Sequence, residues 1–284
     1  MEKIAVVTDT GSNLSFAQAK ELGIYLLPLQ ITIDETTYQD TLEISTQDIY
    51  NELANGKMPK TSMAAYQKIY DLFEELKKDY DTIFAVPLTN VLSTNASTMQ
   101  SIARELEMNV HVIDMYATCA LEKHVAIWIK KLVDEHKSSE EILKIIQPAI
   151  DESNSLILVK NLQHLKRGGR LTPMAAALAG LLKIYPVLHI NKSTEGRIDV
   201  LNKVRTEKRA DAYAIDKIMD DIDIQHTHIY IIHSNFLEGA DHFKKCFIEK
   251  GVPEQNIHID YISSVIAVHT GLGCIAIQYI REEN

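Results

Sequence analysis

Short apolar runs alternate along the chain with longer stretches in which apolar positions recur every three or four residues. Residues 4–8 are apolar up to Thr8 and lead into Asp9-Thr10-Gly11-Ser12-Asn13, the pattern of a buried strand emptying into a polar turn. A helix follows, closed by Gly23, and residues 24–33 read as extended, with Pro28 placing them near a sheet edge or a bend. Ser45 stands three residues before Asp48, the spacing of a capping box, and Asn55-Gly56 closes that helix. Tyr66, Ile69, Tyr70, Phe73 and Leu76 recur at helical spacing, which predicts an amphipathic helix over 63–78 whose apolar stripe is core.

Residues 82–88 and 110–115 read as strands separated by a helix, and 120–135 as helix again. Such alternation predicts βαβ units in a mostly parallel sheet, with ligand positions beyond the carboxyl ends of the strands. Residues 8–10, 89–94 and Asp114 should therefore be neighbours on one rim rich in hydroxyls. After the strand at 156–160 come a glycine pair, a small-residue helix beginning at Pro173, and two runs, 184–191 and 197–204, joined by Ser193-Thr194-Glu195-Gly196 as a hairpin. A helix to about 221, a strand 228–233, a helix to 250 and a strand 256–262 complete the pattern. The expected fold is α/β in two domains. An N-terminal Rossmann-like domain with a parallel sheet spans 1–157, and a C-terminal α/β domain with a mixed or antiparallel sheet spans 158–284. No linker or repeat separates them, so close packing with a cleft is expected.

Composition narrows the classes of function. The 284 residues are 46% hydrophobic and 24% charged, an ordinary globular balance, and the formal net charge of −10 disfavours nucleic acid as a partner. Three cysteines at wide spacing suggest neither disulfides nor zinc. The apolar stretches are too short for a membrane span, and the start lacks a secretory pattern, so a cytoplasmic protein is expected.

Among candidate chemistries, Thr8-Asp9-Thr10-Gly11 partly resembles the strand-end aspartate nucleophile of the haloacid dehalogenase family, but Gly11 stands where that family has a second carboxylate. An Asx-type turn is the favoured reading of Asp9. Gly271-x-Gly273-x-x-Ala276 is a loose dinucleotide fingerprint with too little chain after it for a βαβ unit. Lys60-Thr61-Ser62 and Leu92-Ser93-Thr94-Asn95 each stand at an expected helix start, where a hydroxyl and open amides suit an anion or serve as simple caps. With no histidine in either segment, carboxylate binding suits them better than nucleophilic attack. Basic clusters at 166–170, around Gly168-Gly169, and at 203–209 offer guanidinium groups to a carboxylate or phosphate. His269 lies in a turn-rich loop.

Taken in order, Val7-Thr8-Asp9-Thr10, Lys60-Thr61-Ser62, Leu92-Ser93, the run Leu165-Lys166-Arg167-Gly168-Gly169-Arg170-Leu171, the basic cluster at 203–209 and His269-Thr270-Gly271-Leu272-Gly273 resemble the DegV family of bacterial fatty-acid-binding proteins nearly end to end. The resemblance implies a non-catalytic, cofactor-free protein that holds one long-chain fatty acid in a tunnel at the domain interface. It also implies a role as the FakB-like component of fatty acid kinase, presenting the carboxylate to an ATP-dependent kinase partner and carrying the acyl phosphate toward phospholipid synthesis, with transient membrane contact. By motif, Thr61, Ser62, Ser93, Thr94, Asn95, Arg170, His269 and Thr270 would surround the ligand, while Arg170 and Arg205 would face the phosphorylated head group or the kinase. No catalytic residue and no metal are implied. The alternatives are Asp9-dependent phosphotransfer and carriage of another amphiphile. Three segments depart from the family pattern: Met63-Ala64-Ala65, Thr94-Asn95, and the bulkier Tyr116-Ala117-Thr118-Cys119-Ala120-Leu121 where serine and glycines are usual.

Overall fold

In the computed structural model, which describes residues 2–282, the strands in chain order are β1 (Ile4–Asp9), β2 (Tyr25–Leu27), β3 (Gln30–Ile33), β4 (Thr36–Gln39), β5 (Lys60–Ser62), β6 (Thr82–Val86), β7 (Asn109–Val112), β8 (Asn154–Leu158), β9 (Tyr185–Asn191), β10 (Asp199–Val204), β11 (Thr227–His233), β12 (Ile257–Tyr261) and β13 (Ile275–Arg281). The α-helices are α1 (Phe16–Leu22), α2 (Thr46–Ala54), α3 (Tyr66–Leu76), α4 (Asn95–Glu105), α5 (Ala120–Asp134), α6 (Ser139–Glu152), α7 (Leu162–Arg167), α8 (Pro173–Leu178), α9 (Glu207–Asp221), α10 (Leu237–Glu249) and α11 (Ser264–Thr270). They divide into two units, Met1–Pro148 with Ser263–Val265, and Ala149–Ile262 with Ile266–Asn284. A boundary at 157 would cut β8, which lies wholly within the second unit.

The first unit is built on a parallel sheet of order β2-β1-β6-β7. β1 and β6 are buried along their whole length, as continuous apolar runs with both faces covered must be. Val7, Ile69, Phe73, Ile83, Met99 and Ile102 join one core beneath α3 and α4. The stripe of α3 thus buries Ile69, Phe73 and Leu76, whereas Tyr66, at the start of the same stripe, stays exposed and donates its hydroxyl to Glu105 at 2.7 Å. Ser45 and Asp48 make the reciprocal capping box expected from their spacing.

The segment 24–33 is extended and bends at its proline, as expected: it breaks at Pro28-Leu29, so that β2 pairs parallel with β1 at the sheet edge while β3 turns into a separate antiparallel sheet of order β4-β3-β5. One expectation in this unit needs correcting. Lys60-Thr61-Ser62 does not begin a helix: it is β5, Thr61 pairs with Ile31, and α3 starts only after Ala65, without a side-chain cap.

The second unit carries a mixed six-stranded sheet of order β10-β9-β8-β13-β11-β12, in which only β11 and β12 pair in parallel. The hairpin of β9 and β10 is as expected, its turn a 3-10 segment capped by Asn191. β13 lies beyond the strands expected from the sequence, yet it occupies the sheet interior between β8 and β11 and is buried except at Arg281. Its polar residue Gln278 is satisfied by donating to Ser155 Oγ at 2.9 Å. Gly271 and Gly273, both at positive φ, turn the chain from α11 into β13, a helix-to-strand order opposite to that of a dinucleotide fingerprint.

Candidate functional site

The carboxyl ends of β1 and β6 meet as the parallel topology requires. Asp9, the last residue of β1, is completely buried, and its Oδ1 accepts the Gly11 amide at 2.8 Å. Its Oδ2 accepts the Leu88 amide at 3.1 Å and Asn95 Nδ2 at 2.7 Å. Both oxygens are therefore occupied and hidden from solvent. Asp9 thus serves as an Asx-type turn residue, its side chain taking the Gly11 amide two residues on. Asp114, just beyond β7, joins the same rim by accepting the Asn90 amide at 3.3 Å and the Tyr116 amide at 2.8 Å.

This rim shapes the start of α4. Thr94 precedes the helix without capping it through its side chain, and its carbonyl accepts Ser97 Oγ and Thr98 Oγ1, each at 2.9 Å. Ser93 supplies the missing acceptor, taking the Asn95 amide at 3.2 Å. A hydroxyl that accepts still has its own hydrogen to give, so half-buried Ser93 can cap the helix and donate to an anion at once. Asn95 is fully buried and turned toward Asp9, while Thr94 is exposed. Thr61 is half-buried on β5. The end of β5 is brought toward α4 by Thr98 Oγ1, which donates to Met63 Sδ at 3.3 Å. Ser62 is exposed and donates to Gln30 Oε1 at 3.2 Å.

The bulky segment at 116–121 has a visible cost. Tyr116 and Cys119 both take positive φ, 49° and 57°, in a region that favours glycine, at about 1–3 kcal/mol each. Asp114 holds the Tyr116 amide, and the Gly11 carbonyl accepts the Cys119 amide at 3.0 Å, which fixes the entrance to α5.

In the second unit the candidate residues gather at Gly168. Arg170 Nη1 donates to the Gly168 carbonyl at 2.6 Å, and His269 hydrogen-bonds the Gly168 backbone. A Cβ at Gly168 would come within 3.0 Å of His269 Nδ1 and 3.2 Å of its Cβ, so only glycine admits the imidazole this closely. His164 Nε2 and the Val268 carbonyl oxygen, 2.8 Å apart, tie α7 to α11. Burial and then the Arg170 charge push His269 down to about 4, so near pH 7 it is a neutral imidazole and Arg170 carries the charge. Thr270 donates back to the Ile266 carbonyl at 3.3 Å within its own helix. Arg205 is exposed in the turn between β10 and α9.

A cavity of about 540 Å³ in this unit had no sequence signal. Leu158, Ala210, Phe236 and Phe243 line it together with Glu207 and Asp211. Lys160 is ion-paired to Glu207 and lies 4.8 Å from the centre of the Phe236 ring, while burial raises the Asp211 carboxyl. With Glu238 as well, three carboxyl groups in its wall make this cavity a poor place for the head of an anionic ligand.

Among the described residues no helix is long and apolar enough to cross a membrane, and no acidic, histidine or cysteine side chains gather as a metal site. The sequence matches the family model described as "Uncharacterised protein, DegV family" over residues 3–282. A DegV domain-containing protein of Halalkalibacterium halodurans is 31% identical, the match covering 100% of both chains. The crystal structure of a fatty acid binding DegV family protein from Streptococcus agalactiae superposes with a TM-score of 0.91 at 29% identity, over 100% of both chains. That of DegV, a fatty acid binding protein from Bacillus subtilis, gives 0.87 at 26% identity over 99% of this chain and 100% of its own. With its whole described length matched in sequence and in fold, the chain belongs to the DegV family.

Proposed function

We propose that this protein binds a long-chain fatty acid and presents its carboxylate to an ATP-dependent kinase partner, carrying the acyl phosphate toward phospholipid synthesis. The observation that carries the reading is the full-length likeness to the fatty acid binding DegV proteins of S. agalactiae and B. subtilis. The Ser93 hydroxyl, capping α4 while keeping a hydrogen to donate, supplies the chemistry a carboxylate needs, and Thr61 is the second hydroxyl assigned to it. Affinity comes from the acyl chain, at about 0.8 kcal/mol per buried CH₂, and the hydroxyls fix its polar end. Arg170, with neutral His269 beside it, and exposed Arg205 offer positive charge to the phosphorylated head group and to the kinase surface. The protein itself is not the catalyst in this reading, since the strand-end Asp9 is sealed by three N–H donors. Leu182, 92% exposed next to Lys183, and Met174, at 63%, suit transient contact with a lipid surface.

Denaturing extraction of the purified protein followed by mass spectrometry should release a fatty acid in near-stoichiometric amount, and acyl phosphate should form only when ATP and a kinase partner are added. Protein that carries no fatty acid and takes up none of an added palmitate series would overturn the reading.

A further inference from the structure

Glu122, in the first turn of α5, is completely buried and takes no part in the ligand reading. Its proton can be located by counting hydrogens. Thr8 Oγ1 lies 2.7 Å from the Val86 carbonyl oxygen and 3.1 Å from Glu122 Oε1. A carbonyl only accepts, so the single hydroxyl hydrogen of Thr8 goes to Val86, and toward Glu122 the Thr8 oxygen must itself accept. Glu122 is the donor of that bond, hence a neutral carboxylic acid. Its other oxygen, Oε2, is buried on the side of Gly11 that faces Asp9, a position tolerable for a neutral carboxyl and costly for a carboxylate.

Asp9 stands on the other side of Gly11. A Cβ at Gly11 would lie 2.7 Å from Asp9 Oδ1 and 3.1 Å from Glu122 Oε2, so the two carboxyl groups border the same small space. Asp9 receives three N–H donors, from Gly11, Leu88 and Asn95, and is the member built to be charged. The titratable groups around the pair are the Cys119 thiol at the start of α5 and Asp40 beyond β4, and each opposes a second negative charge. Burial and then the Asp9 charge hold Glu122 well above the carboxylate range; burial also raises Asp9, against the pull of its N–H donors.

We propose that Asp9 and Glu122 work as one proton-holding pair, Glu122 the acid and Asp9 the anion, and that this proton positions residues 88–95, and with them the Ser93 hydroxyl, for the ligand carboxylate. The ligand half of the inference rests on the fatty-acid reading above. Asp9 Oδ2 grips both ends of the segment, at the Leu88 amide and the Asn95 side chain, and Ser93 is in turn fixed by the Asn95 amide. Glu122 and Asp9 are positioning residues, acting through Asn95 and Ser93 rather than on the ligand.

The test uses the full-length protein, infrared spectroscopy and the fluorescent fatty acid cis-parinarate. Near neutral pH the protein should show the carbonyl band of a protonated carboxyl group, lost in Glu122→Gln; identical spectra would overturn the pair. Glu122→Gln, which still donates to Thr8, should bind cis-parinarate within about twofold of wild type, whereas Glu122→Met, matched in volume but without a donor, should bind about tenfold more weakly. Thr8→Val breaks the same bond from the other side and stands in should Glu122→Met fail to fold. Equal affinities for the Gln variant and the donor-free variant would overturn the positioning role. A wild type that keeps the band but takes up no fatty acid refutes the ligand role together with the proposed function, while the spectrum still decides the proton pair.

Discussion

Asp40 offers the sharpest quantitative check on the electrostatics of the first unit. Its carboxyl is fully buried and Oδ1 accepts the Ser264 hydroxyl, with hydrogen bonds from Thr10 and the Thr41 backbone only partly offsetting the burial. Burial pushes it from 3.8 up to about 6. The folded chain therefore holds this proton more tightly than the unfolded chain, so Asp40 stabilises most below about pH 4 and its contribution is lost as pH rises through about 6. Each pH unit in that window removes about 1.4 kcal/mol, about 3 kcal/mol across it. The substitution Asp40→Asn keeps an acceptor for Ser264 and removes the ionisable group. Trp128 is the single tryptophan and is buried in α5, so its fluorescence follows unfolding of the first unit alone. Urea titrations on wild type and variant should give a stability difference that shifts in the variant's favour by about 3 kcal/mol between pH 4 and pH 7. A difference that stays constant with pH would refute the assignment.

Four other outcomes follow from the geometry. Ser93→Ala should cost about 1 kcal/mol of stability as a lost cap, and combined with Thr61→Ala should weaken fatty-acid binding at least about tenfold in a fluorescence titration. Arg205→Ala should leave fatty-acid uptake intact while slowing acyl-phosphate formation with the kinase partner about tenfold, most visibly at low salt. Gly168→Ala should push the His269 ring aside by a few tenths of an ångström and loosen its bond to the Gly168 backbone, and an NMR titration should then find that imidazole shifted from about 4. Phe73→Ala, which empties a fully buried site under α3, should destabilise the first unit by about 3–5 kcal/mol in the Trp128 assay.

Much of this fold was legible because its signals are local. The unbroken apolar runs of β1 and β6, the capping box at Ser45 and the αL glycine after α1 each declare an element within a few residues. Their alternation fixed the rim on which Asp9, Asn90 and Asp114 meet. Thr61 was misplaced because three residues followed by an amphipathic stripe look like the stripe's beginning, and only pairing with Ile31, thirty residues away in the chain, makes them a strand. Ser93 was recognisable as a hydroxyl at a helix start that either caps or meets an anion, but not as one able to do both at once. Glu122 escaped notice because its meaning comes from Thr8 and Asp9, joined to it only by the packing of α5 on β1.

The interior position of β13 sets an order of events during synthesis. The parallel sheet of the first unit is drawn entirely from residues up to Val112, so it can assemble while later chain is still emerging from the ribosome. The second sheet cannot close in the same way. β8 and β11 have their partner edges joined only through β13, and until Ile275–Arg281 has been made, each presents an unpaired row of amides and carbonyls. Nascent chains of this protein should therefore carry a paired first sheet and an open second one for the whole time needed to translate from β11 to β13, the interval in which holdase chaperones have the most to protect.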